Sequence, residues 1–469
     1  MKQVNSKSAE GSIPEPSPKV PLFGHLFCLR QNSLEGFRNL TAKMGPIFRL
    51  NLGSNDIVTV TSLDLIKEVA DESKFDHAHL GPIFGLIREM FISEKGKLNE
   101  AAVWRILMPG FSSKTQEACL PRMLDVLDKL FIKLDKSIGK EINLSDELTR
   151  AVLDAVGAFG FNFRFNAISS ENGHPISKLV EQIISYIGMK IFLPKLIVQL
   201  LFFAKKKCDR NLSTLNKYSG EIIEERKKHP TEVPDLLNQM MKEVDKASGE
   251  KMTDADIRIQ IGGLIAASIE TTQGLLGFAF YALMTYPNVL EKAYAEVDSV
   301  LGTDFGKRPS LRDFQNLTYL NKILKECLRL WPPAPVVERS AREDTILAGK
   351  YPIKKRQWVW TIIPVIQRDR AIWGDDAELF NPDRFDHELV AKRDPLSFIP
   401  FGMGKGACLG RQFAMLQGLI ILSLVLQRYR LHLRPGYEFD TVTTGGAIQP
   451  RTLWVTLEKR KHKVNAPPS

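Results

Sequence analysis

Cysteine is scarce in this sequence, and no two cysteines are close neighbours along the chain. The 469 residues contain five. They are Cys28, Cys119, Cys208, Cys327 and Cys408. Disulfide-stapled domains and zinc sites use cysteines in pairs, commonly as C-x-x-C, so this pattern argues against both. Scattered thiols in an odd number are typical of a reducing compartment, and we expect a cytoplasmic protein.

Long apolar segments are also missing. The N-terminal region is polar and rich in Pro and Ser, without the apolar core of a signal peptide. A transmembrane helix needs about 18–20 consecutive apolar residues, and the nearest candidate, 191–207, is interrupted by Pro194 and Lys195. We therefore predict no transmembrane anchor. The segment is interpreted as a buried helix or a lid over an apolar cavity, with shallow contact with a membrane surface as the alternative.

Nothing in the sequence divides the chain into several units. We find no internal repeat and no linker rich in Pro, Gly or Ser. Helical periodicity dominates from about residue 62 to 330, and strand-like alternation appears at 47–62, 350–365 and 451–459. These patterns predict a mainly α fold with a long central helix and a minor β-sheet region built from both ends of the chain.

The same patterns set the expected domain limits. Residues 17–461 are predicted to form one large domain, and 1–16 and 462–469 to be flexible tails. The protein is expected to be a monomer.

Acidic residues are outnumbered, which leaves a net charge of +10. Basic clusters occur at 205–207, 226–228, 354–356 and 459–463. Such clusters are usually solvated faces, but they also suit an acidic protein partner. Nucleic acid is not expected, because no module that combines aromatic and basic residues is visible.

One predicted helix is apolar on nearly every side. It starts at Thr253, which is placed to cap it together with Asp256. A long helix of this kind must run through the middle of the protein. Glu270, Thr271 and Thr272 nevertheless lie near its centre, and buried polar groups are costly unless paired. They therefore indicate a function.

The segment 398–410, FIPFGMGKGACLG, holds a single thiol among glycines. Glycines permit backbone conformations and close approaches that other residues forbid. The helix predicted at 412–431 begins just after Cys408, and its first N–H groups and positive field would favour a thiolate. Phe401 is placed to cover the sulfur. The loop is suited to hold a thiolate against something large and flat, such as an iron porphyrin.

This segment resembles the signature F-G-x-G-x-R-x-C-x-G of the cytochrome P-450 family of haem-thiolate monooxygenases. The matching residues are Phe401, Gly402, Gly404, Cys408 and Gly410. The resemblance extends from about residue 21 to 461 and is strongest to the haem domain of bacterial self-sufficient fatty-acid hydroxylases. It implies a single P-450-type domain and haem b as cofactor, with Cys408 as the ligand to the iron.

Two haem anchors of the family are altered here. The signature arginine, which pairs with a haem propionate, is replaced by Gly406. Arg339 stands where many members have another propionate-binding Arg, and it is interpreted as a compensating anchor or as a solvated loop residue. The family's W-x-x-x-R helix is irregular too, because Trp104 falls where the basic residue is expected and Glu100 where the Trp is expected.

A second family motif, E-x-x-R, is matched by Glu326 and Arg329. Apolar residues surround the pair, which predicts burial, and buried charges need complete pairing. The resemblance supplies a third member, Arg384, and implies a structural role in supporting the cysteine loop.

The oxygen-activating motif of the family, [AG]-G-x-[DE]-T-[TS], is matched at 267–272. We predict that the Thr271 hydroxyl bonds the carbonyl of Ala267 and bends the helix into a groove above the iron. Glu270 and Thr271 are the candidate catalytic residues for proton delivery. Ser268 replaces the usual Gly and is expected to crowd or rewire the groove.

The resemblance implies oxidation of a lipophilic small molecule with O2 and two electrons. The Arg and Tyr that hold a fatty-acid carboxylate in the related hydroxylases align with Asn55 and Thr59, so that clamp is absent. Phe91 aligns with the phenylalanine over the haem, and 185–204 is interpreted as an apolar roof. With Ser268, Phe91 is assigned to the substrate pocket.

Only 61 residues follow Cys408, too few for a flavodoxin-like reductase domain. Electrons are therefore expected from a separate ferredoxin or flavodoxin with an NAD(P)H reductase, unless the chain is a fragment of a longer fusion.

Two other functions stay open at this point. A peroxide-driven, isomerase or dehydratase haem-thiolate enzyme would need no electron partner, and the departures at Ser268 and Gly406 motivate it. A haem sensor or carrier without turnover is the third interpretation.

Overall fold

A computed structural model describes residues 11–29, 33–77, 100–444 and 447–460. Helices dominate these residues. They are α1 (Ser33–Met44), α2 (Leu63–Val69), α3 (Glu100–Leu107), α4 (Ser113–Asp135), α5 (Leu144–Phe161), α6 (Pro175–Phe192), α7 (Lys195–Leu200), α8 (Phe202–Lys228), α9 (Leu236–Lys242), α10 (Asp254–Thr285), α11 (Pro287–Leu301), α12 (Leu311–Gln315), α13 (Thr318–Leu330), α14 (Ile363–Ile366), α15 (Arg370–Trp373), α16 (His387–Ala391) and α17 (Arg411–Arg428). Short 3-10 turns include Met108–Phe111, Pro382–Phe385 and Gly404–Gly406.

The strands are short and join distant parts of the chain. They are β1 (Ile47–Leu52), β2 (Asn55–Val60), β3 (Phe75–His77), β4 (Glu141–Asn143), β5 (Val336–Ala341), β6 (Thr345–Leu347), β7 (Tyr351–Ile353), β8 (Trp358–Ile362), β9 (Tyr429–Leu433), β10 (Thr441–Thr444), β11 (Ala447–Pro450) and β12 (Trp454–Lys459). The largest sheet has the order β1-β2-β8-β5-β3, in which β2 and β8 are parallel and the other pairs antiparallel. The prediction of a minor sheet built from both chain ends is confirmed.

The helix α10 lies at the centre of the fold, as its composition predicts. Thr253 and Asp256 form the expected capping box, in which each side chain binds the backbone N–H of the other residue. The helix packs against α5, α8, α13 and α17. Contacts are close enough that a Cβ atom at Gly274 would lie 2.9 Å from the carbonyl oxygen of Ile448 on β11. Burial on several sides explains why α10 carries no narrow apolar stripe.

The helix after the cysteine loop is shorter than predicted. It ends at Arg428, and Tyr429–Leu433 forms strand β9 instead of the last helical turn. Buried and exposed residues alternate from Tyr429 to His432, and the strand pairs antiparallel with β12. The prediction of helix to residue 431 was therefore wrong, because a period of two, set by pairing with a distant strand, overrides the local helical pattern.

Candidate active site

The cysteine loop owes its shape to glycines in the left-handed region. Gly402 has φ of 78° and Gly404 has φ of 59°, values that residues with a Cβ atom rarely adopt. The turn is closed by a hydrogen bond from the Cys408 amide to the carbonyl of Phe401, with an N···O distance of 2.7 Å. This places Cys408 immediately before α17, next to its first backbone amides.

The electrostatic surroundings of the Cys408 sulfur are mixed. Burial raises the pKa of its thiol, and the N–H groups of Gly410 and Arg411 together with the Arg411 charge oppose that rise. Phe401 is half-buried and its ring centroid lies 5.7 Å from the Arg411 guanidinium carbon. These donors and this charge are what a thiolate requires.

Cys408 differs from the other four cysteines in its access to open space. Cys119, Cys208 and Cys327 are buried and Cys28 is half-buried, whereas Cys408 is exposed. The Cys408 thiol is nevertheless desolvated by surrounding protein atoms. A side chain that is accessible although protein atoms surround it lies in a recess of the protein.

The central helix presents an accessible strip of its own. Between Ile261 and Phe280 all residues of α10 are buried except five. These five are Gly263, Leu264, Ala267, Ser268 and Thr271. Their spacing of one, three or four residues puts them on one face of the helix. The strip is therefore the accessible face of an otherwise enclosed stretch, and it includes three of the predicted site residues.

The hydroxyl groups on this strip are bonded to the helix itself. Thr271 donates to the carbonyl oxygen of Ala267 at 2.7 Å, as predicted. Ser268 donates in the same way to Leu264 at 2.6 Å. Helical hydrogen bonding continues through both positions to Thr285. Ser268 therefore has its proton engaged and does not project a free donor into the groove.

Glu270 is the unusual polar group of this region. Only 6% of the residue is exposed, and neither carboxyl oxygen has a hydrogen-bond partner among the described residues. Burial, with a smaller contribution from the negative charge of Glu181, raises its pKa from 4.5 to about 8. At neutral pH the side chain is therefore mostly a neutral acid, able to donate a proton.

The space beside the cysteine loop is filled by residues from distant segments. A Cβ atom at Gly406 would overlap Nδ1 of His77 and lie 2.5 Å from Cε1 of the same ring. A Cβ atom at Gly404 would overlap Oε1 of Glu72 and lie 2.9 Å from Nη2 of Arg339. Sequence reasoning missed His77 and Glu72, for which the glycines at 406 and 404 were the signals.

Arg339 lies against the loop and not in solvent. It is 1% exposed and donates through Nη2 to the carbonyl oxygen of Met403 at 2.7 Å. Its Nε has no hydrogen-bond partner within the described part of the chain. The solvated-residue interpretation of Arg339 was wrong. Trp104, the other predicted anchor, is half-buried on α3, and the neighbouring Arg105 forms an ion pair with Asp245 at 2.6 Å.

The Glu326–Arg329 pair is completely buried, with both side chains 0% exposed. Two hydrogen bonds of 2.7 Å join the carboxylate and the guanidinium. Arg384 approaches Glu326 with Nε at 3.6 Å, and the amide of Asn381 donates to the same carboxylate at 2.8 Å. Arg329 also donates to the carbonyl oxygens of three residues that precede the cysteine loop. These are Gln367, Ala377 and Leu379.

The two residues aligned with the carboxylate clamp lie in different surroundings. Asn55 donates to the carbonyl oxygen of Ile191 at 2.8 Å, at the end of α6. Thr59 is fully buried in β2. Asn55 also lines an open surface cavity of about 480 Å³, whose other lining residues are 19–22, 24, 51, 53, 54 and 56. Phe91, the predicted phenylalanine over the haem, lies outside the described residues.

The segment 191–207 is not a buried helix. It is divided at Pro194 into the end of α6, the short α7 and the start of α8. Four of its large apolar side chains are turned outward: Leu196 is 60% exposed, Leu200 76%, Phe202 61% and Phe203 85%. The buried-helix interpretation was therefore wrong, which leaves the lid and the shallow contact with a membrane surface. In the described ranges, no helix has the length and apolar character needed to cross a membrane.

An accessible thiol just before a helix N-terminus, together with an accessible alcohol and a buried acid on a central helix, is the arrangement expected of the haem-thiolate oxidoreductase class. The cytochrome P-450 family model matches residues 14–455. The chain belongs to this family.

Curated relatives agree with this assignment. The chain is 35% identical over 463 residues to bifunctional cytochrome P-450/NADPH–P-450 reductase 2 of Bacillus subtilis, covering 96% of this chain and 43% of that protein. It is 33% identical to a bifunctional enzyme of Bacillus cereus, with 97% and 43% covered. It is 30% identical to a self-sufficient cytochrome P-450 monooxygenase of Exserohilum turcicum, again with 97% and 43% covered. The chain thus spans less than half the length of these relatives.

The cofactor of this family is haem b with a cysteine thiolate as axial ligand. The described residues fit such a group. Cys408 is accessible although protein atoms surround it, α10 has an accessible strip, and the Nε of the buried Arg339 has no hydrogen-bond partner among the described residues.

Proposed function

We propose that this protein hydroxylates or otherwise oxidises a lipophilic small molecule with O2 and two electrons, using Cys408 as the thiolate ligand of its haem. The observation that carries the proposal is that Cys408 and the strip on α10, with Ala267, Ser268 and Thr271, are accessible although most of α10 is buried. The bound haem supplies the oxidising chemistry on O2, and the thiolate donates electron density that favours O–O cleavage. Phe401, Gly402, Gly404 and Gly410 shape the loop that holds the sulfur.

Glu270 and Thr271 are proposed to handle the protons of the reaction. The Thr271 hydroxyl lies on the accessible strip and is held by the carbonyl of Ala267. Glu270 holds a proton at neutral pH, because burial raises its pKa to about 8. A general acid whose pKa lies near the working pH can both give up and regain its proton. Glu270 is therefore suited to resupply protons, and Thr271 to hold them at the groove.

The substrate is proposed to be lipophilic, with no carboxylate held at the clamp position. The amide of Asn55 is bonded to α6 and Thr59 is enclosed in the sheet, and neither side chain supplies the positive charge that would hold a carboxylate. Ser268, whose hydroxyl proton is bonded to Leu264, is assigned to the pocket as a mainly steric element. Phe91 is proposed to line the same pocket.

The exposed apolar side chains of α7 and the start of α8 support a role in substrate entry. Leu200 and Phe203 are the most exposed of them, and Lys205–Lys207 follow directly. An apolar surface beside cations suits peripheral contact with lipid or with a lipophilic substrate. We infer a cytoplasmic monomer with such peripheral contact, whose single domain covers residues 17–461.

Electrons are proposed to come from a separate ferredoxin or flavodoxin with an NAD(P)H reductase. The supporting feature is positive charge around the cysteine loop. Lys405 is exposed in the loop and Arg411 on the first turn of α17. The pKa of Lys325 is lowered mainly by burial and also by the neighbouring charges of Arg411 and Lys322. A cationic surface of this kind attracts acidic redox proteins.

The relatives favour this function over a peroxide-driven or isomerase enzyme and over a haem sensor, because they carry the names of reductase fusions and monooxygenases.

The reduced, carbon-monoxide-bound absorption spectrum tests the proposal. We expect a Soret band near ~450 nm, which reports thiolate ligation of haem iron. Cys408→Ser should remove the band, whereas Cys28→Ser should keep it, because Cys28 lies in the N-terminal segment near Pro18. A band that persists in Cys408→Ser would refute the assignment.

A further inference from the structure

The cysteine loop lacks the arginine that the family signature places two residues before the cysteine, and another side chain occupies its space. The direction in which a side chain would leave Gly406 is blocked by His77. A Cβ atom there would overlap Nδ1 and lie 2.5 Å from Cε1 and 2.8 Å from Cγ. Contacts this short mean that a side chain at 406 and the ring in its present position exclude each other. With the histidine ring in this place, residue 406 has to be a glycine.

His77 is held at this place by the main chain of the sheet. It is the last residue of β3, and in the antiparallel pair with β5 it is opposite Arg339. Arg339 in turn donates to the carbonyl oxygen of Met403 in the loop, and Glu72 accepts a hydrogen bond of 2.7 Å from the Lys405 amide. The strand, the arginine and the loop are thus linked to one another, so the main chain of His77 is held beside the loop by the sheet.

We propose that His77 has taken over the role of the missing signature arginine, binding a propionate carboxylate of the haem from the neighbouring strand, next to Arg339. An imidazole N–H is a good hydrogen-bond donor to a carboxylate, and the bond is stronger when the ring is protonated. Arg339 provides the positive charge, with its Nε unpartnered among the described residues. The inference rests on the proposed role of Cys408, because it is the cysteine loop that brings the haem to this place.

The first experiment measures how fast haem leaves the folded holoprotein. Haem transfer to excess apomyoglobin is followed for the wild type, His77→Leu and His77→Gln. Loss of a hydrogen bond to a charged group should accelerate release roughly tenfold in His77→Leu, whereas His77→Gln keeps an N–H donor and should stay close to the wild type. His77→Leu should also shift the reduction midpoint to more negative values, because a positive dipole near the haem is lost. His229→Leu, an exposed histidine at the end of α8, is the control and should change neither.

The second experiment exchanges the two residues. Gly406→Arg alone should lose haem or fail to fold, because the new side chain collides with His77. His77→Ala combined with Gly406→Arg removes the collision and restores the signature arginine, so haem retention should return. Equal haem release and midpoint in His77→Leu and the wild type would overturn the proposal, and so would a double variant no better than Gly406→Arg.

The ~450 nm band tests the thiolate role of Cys408 separately from the role of His77. If it is present in the wild type and in His77→Leu, the thiolate assignment stands whatever the release rates show. If it is absent in the wild type, the proposed function fails, and the role of His77 fails with it.

Discussion

Two buried glutamates in this protein differ in whether their carboxyl groups have hydrogen-bond partners. Glu326 is enclosed with Arg329, Arg384 and the amide of Asn381, so its carboxylate is bonded on several sides. Glu270 is nearly as deeply buried but has no hydrogen-bond partner among the described residues. Burial raises the pKa of both; at Glu326 the bonds to Arg329 and Asn381 oppose that rise, and at Glu270 the charge of Glu181 adds to it.

This difference separates a structural acid from a chemical one. A fully paired carboxylate is fixed and contributes by holding the backbone in place, provided that every partner is present. An unpaired one is costly to stability and is left able to exchange a proton. Glu326 is the structural acid, because its partner Arg329 holds the backbone that precedes the cysteine loop. Glu270 is the chemical acid, on the helix α10 that carries the accessible strip.

The largest expected effect comes from breaking the paired site. Arg329→Met leaves Glu326 buried without its main partner and removes the donors to three backbone carbonyls. We expect a loss of about 3–5 kcal/mol in the free energy of unfolding, measured by denaturant titration of the holoprotein. Arg451→Met, which breaks an exposed ion pair with Asp440, should cost less than about 1 kcal/mol. Similar costs at the two sites would contradict the comparison.

The raised pKa of Glu270 should make the free energy of unfolding depend on pH. Between the unfolded pKa of 4.5 and the folded value of about 8, folded Glu270 keeps a proton that the unfolded chain has lost, so stability falls as pH rises through this window. The loss should amount to a few kcal/mol, at about 1.4 kcal/mol for each pH unit of difference. Glu270→Gln should flatten this part of the melting-temperature profile between pH 5 and 8, and Glu181→Gln should flatten it only slightly. An unchanged slope in Glu270→Gln would show that the acid is paired after all.

A smaller effect is expected from the alcohol beside it. Thr271→Val removes the hydroxyl on the accessible strip and should lower product formed per NADPH by at least about tenfold, because proton delivery fails. The measurement uses a surrogate ferredoxin and reductase. Thr285→Val is the matched control, since Thr285 makes the same bond to the carbonyl four residues back, at 2.8 Å, on the exposed end of α10. Equal losses in both variants would point to helix stability and not to chemistry.

Local sequence patterns were sufficient to predict contacts between residues that are close in sequence. The capping box at Thr253, the bond from Thr271 to Ala267 and the Glu326–Arg329 pair all span three or four residues, which helical geometry brings together. The cysteine loop was visible for the same reason.

Prediction failed where distant strands decide the outcome. The end of α17 was misplaced because pairing with β12 makes Tyr429–Leu433 a strand. His77 and Glu72 were missed because they reach the cysteine loop through the pairing of β3 with β5, more than 250 residues apart. For the same reason, burial of Arg339 was undecided until the position of Met403 was known.

The parallel pairing of β2 with β8 also has a consequence for how the protein is made. Val60 finds its partner Thr361 only after roughly 300 more residues have been synthesised, which takes about 15–60 s at 5–20 residues per second. Until then the hairpin of β1 and β2 has an open edge on the nascent chain, where chaperones or a neighbouring polypeptide can bind it.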